Sequence, residues 1–479
     1  MNKPIIQLFK TINNYYLLDG VKCEILPINK ESFRYLDGVL KGKDDFSTDK
    51  LPTEELIQLH HHGYLSTKNN VEKLQHSYTN YLPYFMQRKL NKITLQVTQG
   101  CNFRCKYCVY SEETNKKQRT HSQESMSLET AKEAIDFLLA HSIDSKHINI
   151  SFYGGEPLLA FDLIKDVVDY AEGIFKGKKI SYNMTSNGTL LDEEKIEFLI
   201  EHDFSLMISL DGPKEINDLN RVYPDGSGTY DSVMKKIQLI QEKYPDFGEK
   251  LSISMVMDPS NDFDCINAVT LDGKDFKPLN LNATVIDTDY DYGNPLNYSE
   301  DYIWKFEYNI FLALISYWKR YPIEKISSIS RSVVQKTVND LYKFEESPAI
   351  KAYDAPSGPC IPGQIRLFSD INGNLFPCER VSETSEAMKI GTLKEEFDIE
   401  QIERLLNFSQ LTEEECKGCW AFRYCNQCAK KADDGTKNMS KELKLSHCRT
   451  SKSTAYSEIM EYLIMKEIPE YYGEQVRNV

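Results

Sequence analysis

Three cysteines stand together at Cys101, Cys105 and Cys108, separated by three residues and then by two. Thiolates on one short loop can hold three irons of a cubane. A [4Fe-4S] cluster ordinarily takes four cysteines, so one iron would be left open to chelate another molecule. A structural zinc loop would require a fourth ligand there. Seven further cysteines close the chain: Cys360, Cys378, Cys416, Cys419, Cys425, Cys428 and Cys448. The pairs Cys416/Cys419 and Cys425/Cys428 have zinc-ribbon spacing, but four plus three does not suit a single zinc ion. Clustering of this kind among twelve cysteines argues for metal binding rather than disulfides. Cys23 and Cys265 lie outside both groups and are expected to be small buried thiols.

Other short runs have the residue types of binding loops. Phe152-Tyr153-Gly154-Gly155-Glu156-Pro157 offers two glycines that permit close backbone approach, beside a charge. Alone it would be only a turn. Thr185-Ser186-Asn187-Gly188 and Ser209-Leu210-Asp211-Gly212 supply hydroxyl, amide and carboxylate groups, and Arg221 follows them.

These runs need a scaffold. Alternating segments recur at Ile93/Leu95/Val97, Ile148/Ile150/Phe152, Ile180/Tyr182/Met184, Leu206/Ile208/Leu210 and Leu251/Ile253/Met255, which predicts repeated β-α units. Ser127 and Asp192 are predicted N-caps of the intervening helices. Sequential parallel strands with right-handed crossovers can curl into a full or partial barrel, with functional loops after the strands' carboxyl ends. The motifs do follow strands. Upstream, Tyr15 to Leu26 reads as a hairpin about Asp19-Gly20, Asn29 opens a helix, a second runs from Pro52 to His62, and Leu82-Pro83 reads as a linker. Residues 300 to 345 read as helical, with Trp304, Phe306, Tyr308, Phe311, Leu312, Leu314 and Ile315 as a packing surface. After Pro356 the segments become short.

Composition narrows the class. At 479 residues and 41% hydrophobic content the chain can bury a large core. Its 72 acidic residues against 57 basic ones, a net charge of -15, exclude broad electrostatic attraction to nucleic acid. No apolar run approaches the roughly 20 residues of a membrane span, and the opening residues lack a secretory pattern. A cytoplasmic, soluble protein without membrane or nucleic-acid partners is expected.

In order and spacing, the Cys101/Cys105/Cys108 loop with Tyr107 before its last cysteine, followed by Gly154-Gly155-Glu156-Pro157, resembles the radical SAM superfamily. The resemblance implies a [4Fe-4S] cluster on the three cysteines and S-adenosylmethionine held at Tyr107, Gly154, Gly155, Glu156, Pro157, Ser186, Asn187, Ser209, Asp211 and Arg221. Arg221 would pair with the methionine carboxylate. One electron passed to the sulfonium would yield methionine and a 5'-deoxyadenosyl radical. The second cysteine group, with Gly373 ahead of Cys378, resembles the SPASM extension and implies two auxiliary [4Fe-4S] clusters, three clusters in all. By that resemblance Cys416, Cys419, Cys425 and Cys448 bind a distal cluster. Cys360, Cys378 and Cys428 are left for a proximal one, a cysteine short of the family pattern. An iron open to a substrate thiolate would suit sulfur-to-carbon bond formation, and Glu379 stands where a related member carries an acidic proton acceptor.

The front hairpin and helices resemble the element that captures the leader of a precursor peptide by strand pairing, with Tyr15 to Leu26 as its edge. The expected fold is α/β: a partial (β/α)6 TIM-like radical SAM barrel over 90–300, a winged-helix-like recognition domain over 1–85, a helical bridge over 301–355 and an iron-sulfur SPASM domain over 356–479. The expected function is thioether formation in a ribosomally synthesised precursor peptide, supplied with electrons by a ferredoxin or flavodoxin. Carbon-carbon crosslinking, side-chain oxidation as in sulfatase maturases, and epimerisation use the same motifs. A binding or electron-carrying protein that has lost the chemistry is the non-enzymatic alternative.

Overall fold

A computed structural model describes residues 3–110, 118–120, 122–271, 280–290, 296–339, 342–345 and 347–467. The chain opens with an antiparallel sheet of β1 (Ile6–Lys10), β2 (Tyr15–Asp19) and β3 (Glu24–Ile28), in that order. β2 is therefore the central strand, and the span Tyr15 to Leu26 does not form one edge: β1 and β3 are the edges. β1 went unread because five residues with no turn signal before them give little alternation to count.

Both faces of this sheet are buried, since successive side chains point to opposite sides. Leu17 packs with Ile6, Leu8, Leu36 and Leu56 beneath helices Lys30–Leu40 and Glu54–His61. Leu18 and Phe9 join a different core with Ile310, Val334 and Ile459 from helices Glu300–Tyr317, Ser328–Asn339 and Cys448–Lys466. Asn29 caps the first helix, its side chain accepting from the Ser32 N–H at 2.8 Å, and Thr53 caps the second. Leu82-Pro83 is not a linker but opens helix Leu82–Arg88, because proline is well suited to a first turn whose N–H groups are unpaired anyway. β4 (Lys73–Leu74) pairs in parallel with a distant strand, β11 (Tyr353–Asp354).

Six parallel strands follow in chain order: β5 (Lys92–Thr98), β6 (His147–Gly154), β7 (Lys179–Ser186), β8 (Phe204–Ser209), β9 (Ser252–Met257) and β10 (Asn280–Val285). Beyond β5 the sheet continues through β12 (Leu367–Ser369), parallel to it, and then antiparallel β13 (Asn374–Phe376), β14 (Gly391–Thr392) and β15 (Glu396–Phe397). Ser127 and Asp192 are N-caps as expected, accepting from the N–H of Thr130 and Lys195. Ile93, Leu95 and Val97 are fully buried, in one core with Ala131, Ile135 and Leu138 of helix Leu128–His141. Thr94, Ser151, Asn183, Ser205, Ser252 and Asn282, one from each strand, line a shared cavity on the other face.

Two expectations need correction. Of the aromatic surface on helix Glu300–Tyr317, Leu314 is buried and Phe306, Leu312 and Ile315 are partly so, but Trp304, Tyr308 and Phe311 are 71%, 60% and 54% exposed. Only one side of that helix meets a core. Cys265, on helix Phe263–Leu271, is exposed, whereas Cys23 is buried as expected. No described helix is long and apolar enough to cross a membrane.

The front sheet is packed against the loop that carries the second cysteine group. A Cβ on Gly20 would lie 2.8 Å from Trp420 Cα and 3.0 Å from the Ile5 carbonyl oxygen, and the Tyr424 hydroxyl donates to the Cys23 carbonyl. Gly20→Val is therefore expected to cost about 1–3 kcal/mol, the usual penalty of overpacking, read as a lowered unfolding midpoint in denaturant.

Candidate functional site

The loop after β5 is folded by its own polar groups. Arg104 Nη1 donates to the carbonyls of Cys101 and Phe103 at 2.9 and 2.8 Å. The N–H groups of Phe103 and Tyr110 donate to the sulfurs of Cys101 and Cys108 at 3.3 and 3.4 Å. Arg104 N–H and Lys106 N–H bond the carbonyls of Val222 and Asn220, strapping the loop to the residues on either side of Arg221. Burial pushes the thiols of Cys101 and Cys105 up to about 12, so they stay protonated until a metal displaces the proton.

The Gly154-Gly155 run is fixed by contact with this loop. A Cβ at Gly154, whose φ is +155°, would lie 2.3 Å from the Thr98 carbonyl oxygen, and one at Gly155 would lie 2.2 Å from that of Gly100. No side chain fits either position. Glu156 is buried, and its oxygens accept from Ser186 Oγ at 2.7 Å, Asn187 N–H at 2.7 Å and Leu158 N–H at 3.0 Å. Its carboxylate thus braces the turn after β7. Asn187 Nδ2 donates in turn to Asn102 Oδ1 at 2.8 Å, closing the tie back to the cysteine loop.

Tyr107, Asp211 and Arg221 come together although they are far apart in the chain. The Tyr107 hydroxyl donates to Asp211 Oδ2 and accepts from Arg221 Nη1 at 2.8 Å, while Arg221 lies 3.8 Å from Asp211 Oδ1. Asp211 Oδ1 also accepts from the Val256 N–H. Arg221 Nε is buried without a hydrogen-bond partner, a donor suited to an incoming carboxylate. Ser209 ends β8 opposite Ser254, and Pro157 starts a buried turn after Glu156.

The second cysteine group divides in space. Cys416, Cys419, Cys425 and Cys448 line one cavity of ≈ 240 Å³. Lys444 Nζ lies 3.6 Å from Cys416 Sγ and Gln427 Nε2 lies 3.7 Å from Cys448 Sγ, cationic and amide donors beside the thiols. Cys360, Cys378 and Cys428 form a separate neighbourhood. Burial pushes Cys378 up to about 11, with Glu379 and Cys428 adding to it; Cys360 is exposed at the surface, with Cys428 near enough to act on its charge. Among the described residues no three Cys, His, Asp or Glu side chains close around a single-ion position. Donor sets made of thiols alone suit iron-sulfur clusters, whose thiolates bind separate irons.

The cavity on the sheet face that carries Thr94 and Ser151 measures ≈ 480 Å³. Glu379 lines it, as do Lys92, Arg366 and Arg380. Glu379 Oε1 is held by Arg366, whereas Glu379 Oε2 is buried with no partner. Lys92 and Arg366 were not singled out in the sequence. The usable signal was parity: both share the strand face of Thr94 and Phe368, and β12 aligns Leu367 with Ile93.

Residues 95–271 match the family model of the Radical SAM superfamily. The chain carries a radical SAM domain. It is related to a cysteine-type anaerobic sulfatase-maturating enzyme of Clostridium perfringens, 26% identical over 392 residues, 78% of this chain and 96% of that one. The radical SAM cyclopropyl synthase TigE of Paramaledivibacter caminithermalis is 24% identical over 260 residues, 50% of this chain and 54% of TigE. An uncharacterized protein of Methanocaldococcus jannaschii is 36% identical over 159 residues, 33% of this chain, which spans about half, 51%, of that protein. The solved structure of native anSMEcpe with bound AdoMet superposes with a TM-score of 0.56 at 22% identity, over 81% of this chain and 100% of that one. The fold is shared.

Gly155→Ala is expected to be destabilising by about 1–3 kcal/mol and to lower the iron retained after anaerobic reconstitution. Gly173→Ala, where nothing lies within 4 Å of an added Cβ, is the control. Equal iron and equal stability in both variants would show that the loop contact is dispensable.

Proposed function

We propose that this chain is a radical SAM peptide maturase that installs thioether crosslinks, from cysteine sulfur to carbon, in a ribosomally synthesised precursor peptide. The observation that supports this best is the unequal division of the second cysteine group: four thiols share one cavity, while Cys360, Cys378 and Cys428 stand as three beside Glu379. A cluster held by Cys101, Cys105 and Cys108 would supply one-electron reductive cleavage of S-adenosylmethionine to a 5'-deoxyadenosyl radical, and one held by Cys360, Cys378 and Cys428 would offer an iron free for a substrate thiol.

The chain's own residues do the rest. Gly154 and Gly155 let the loop after β6 close on the cysteine loop, Tyr107, Asp211 and Arg221 present a carboxylate-binding guanidinium, and Ser209, with Ser186 and Asn187 fixed by Glu156, would stand toward ribose. Glu379 lines the cavity, and its unpartnered oxygen can accept a proton as a bond forms. The front sheet would take the leader along β3, the precursor element spanning 1–85, the core 90–300, the bridge 301–355 and the auxiliary domain 356–479. A ferredoxin or flavodoxin would supply electrons in the cytoplasm.

The sulfatase-maturating relative supports a second reading, oxidation of a side chain. Mass spectrometry of the precursor encoded nearby, after anaerobic reaction with reconstituted protein, reductant and S-adenosylmethionine, separates the two. Loss of a pair of hydrogens per bond with a matching loss of alkylatable thiols is the thioether outcome. Hydrogen loss with every thiol still alkylatable means oxidation or carbon-carbon coupling. Glu379→Gln should leave 5'-deoxyadenosine formation intact and slow peptide product roughly 10²–10⁴-fold, the usual range for a lost general base.

A further inference from the structure

Gln118–Thr120, ten residues beyond Cys108 in the chain, lie against the segment that follows Cys378. The Glu383 N–H donates to the Gln118 carbonyl at 3.0 Å, and Gln118 Nε2 donates to the Arg380 carbonyl at 2.9 Å. Between them sits Arg119, whose side chain is fully buried. Its Nη1 donates to the carbonyls of Gln118 and Val381 at 2.8 and 2.6 Å, and its Nη2 donates to the carbonyl of Glu379, the residue after Cys378. The guanidinium carbon lies 4.6 Å from the ring centre of Phe368 and 5.8 Å from that of Tyr153. Glu383 is the nearest counter-charge, 3.7 Å away.

Glu383 is itself fully engaged. It accepts from the Thr120 N–H at 2.6 Å and from Gln96 Nε2 at 2.7 Å, and that same Gln96 nitrogen lies 2.8 Å from the Tyr110 hydroxyl. Tyr110 donates its N–H to Cys108 Sγ. A continuous buried network therefore runs from Cys108 to the backbone beside Cys378, and nothing in the peptide chemistry above uses it. A lysine could not replace Arg119, because only the planar fork donates to three fixed carbonyls at once.

We propose that Arg119 is a positioning residue that locks the two cysteine loops together and, as a fixed buried cation, makes the cluster held by Cys360, Cys378 and Cys428 easier to reduce. Adding an electron to an anionic cluster is favoured by a nearby positive charge, and one shielded from solvent and salt acts at close to full strength. This rests on the reading that clusters occupy both cysteine groups.

The test is an electron-paramagnetic-resonance-monitored titration with a low-potential chemical reductant, titanium(III) citrate, on reconstituted full-length wild type, Arg119→Met and Arg119→Lys. A Cys101→Ala/Cys105→Ala/Cys108→Ala background simplifies the spectra. In Arg119→Met one auxiliary signal should move to a lower potential, while the other, held by Cys416, Cys419, Cys425 and Cys448, serves as an unmoved reference. Arg119→Lys should restore the potential in part but not protection of the 379–383 amides from hydrogen exchange. Unchanged potentials in Arg119→Met overturn the proposal. Wild type in that background holding no iron overturns the cluster reading instead. If Arg119→Met does not fold, Glu383→Gln is titrated: removing the anion next to the cation should raise the same potential, and no shift counts against the proposal.

Discussion

The carbonyls of Thr98 and Gly100 press so closely on Gly154 and Gly155 that no Cβ fits at either position. This contact joins the loop after β5 to the loop after β6, and the rest of the site is arranged around it. Because the backbones touch, Gly155 N–H and Glu156 N–H bond the Thr98 and Gly100 carbonyls, and the three thiols are presented from a loop that cannot swing away from its neighbour. Glycine is needed here for space, and at Gly154 for its positive φ as well.

A buried carboxylate follows at once. Glu156 has no cation against its oxygens; three donors from the chain replace the water it loses, which is how a buried polar group escapes its desolvation penalty. Burial still pushes its acidity down, raising its pKa. The donors come from the turn after β7, so satisfying Glu156 also fixes Ser186 and Asn187. Asp211 does the same for the next loop through Tyr107 and Val256. The loops after β5, β6, β7 and β8 are thus tied to one another by polar contacts.

Much of this could be read from residue order. The strands at Ile93, Ile148, Ile180, Leu206 and Leu251 were legible because their outward residues are apolar in strict alternation beneath amphipathic helices, and Ser127 and Asp192 were legible as caps. β10 was not: its cavity-lining residues are Asn282 and Thr284, and Leu281, Ala283 and Val285 are too few and too mixed to announce a strand. β1 and the double burial of the front sheet were invisible because Phe9 and Leu18 find their partners more than 290 residues away. The cysteine groups were legible by spacing, yet Arg119 and Glu383 were not, since an arginine becomes informative only when its three carbonyl acceptors are known.

The inward face of the sheet departs from what a closed parallel barrel usually contains. Such interiors are filled by layers of valine, isoleucine and leucine and form a packed core. Here the corresponding positions are Thr94, Ser151, Asn183, Ser205, Ser252 and Asn282, small and polar, and they leave ≈ 480 Å³ rather than filling it. Only Thr94 and Ser151 of these are buried; placing hydroxyls and amides here forgoes apolar burial worth about 1.5–3 kcal/mol for each large side chain omitted, a cost a purely structural sheet would have no reason to carry. The outward positions Ile93, Leu95, Val97, Ile148 and Ile150 supply the missing core against the helices. The sheet therefore keeps its stability on one face and its space on the other, and the space opens onto Glu379 and the segment beside Cys378, at the end of the strands opposite Cys101.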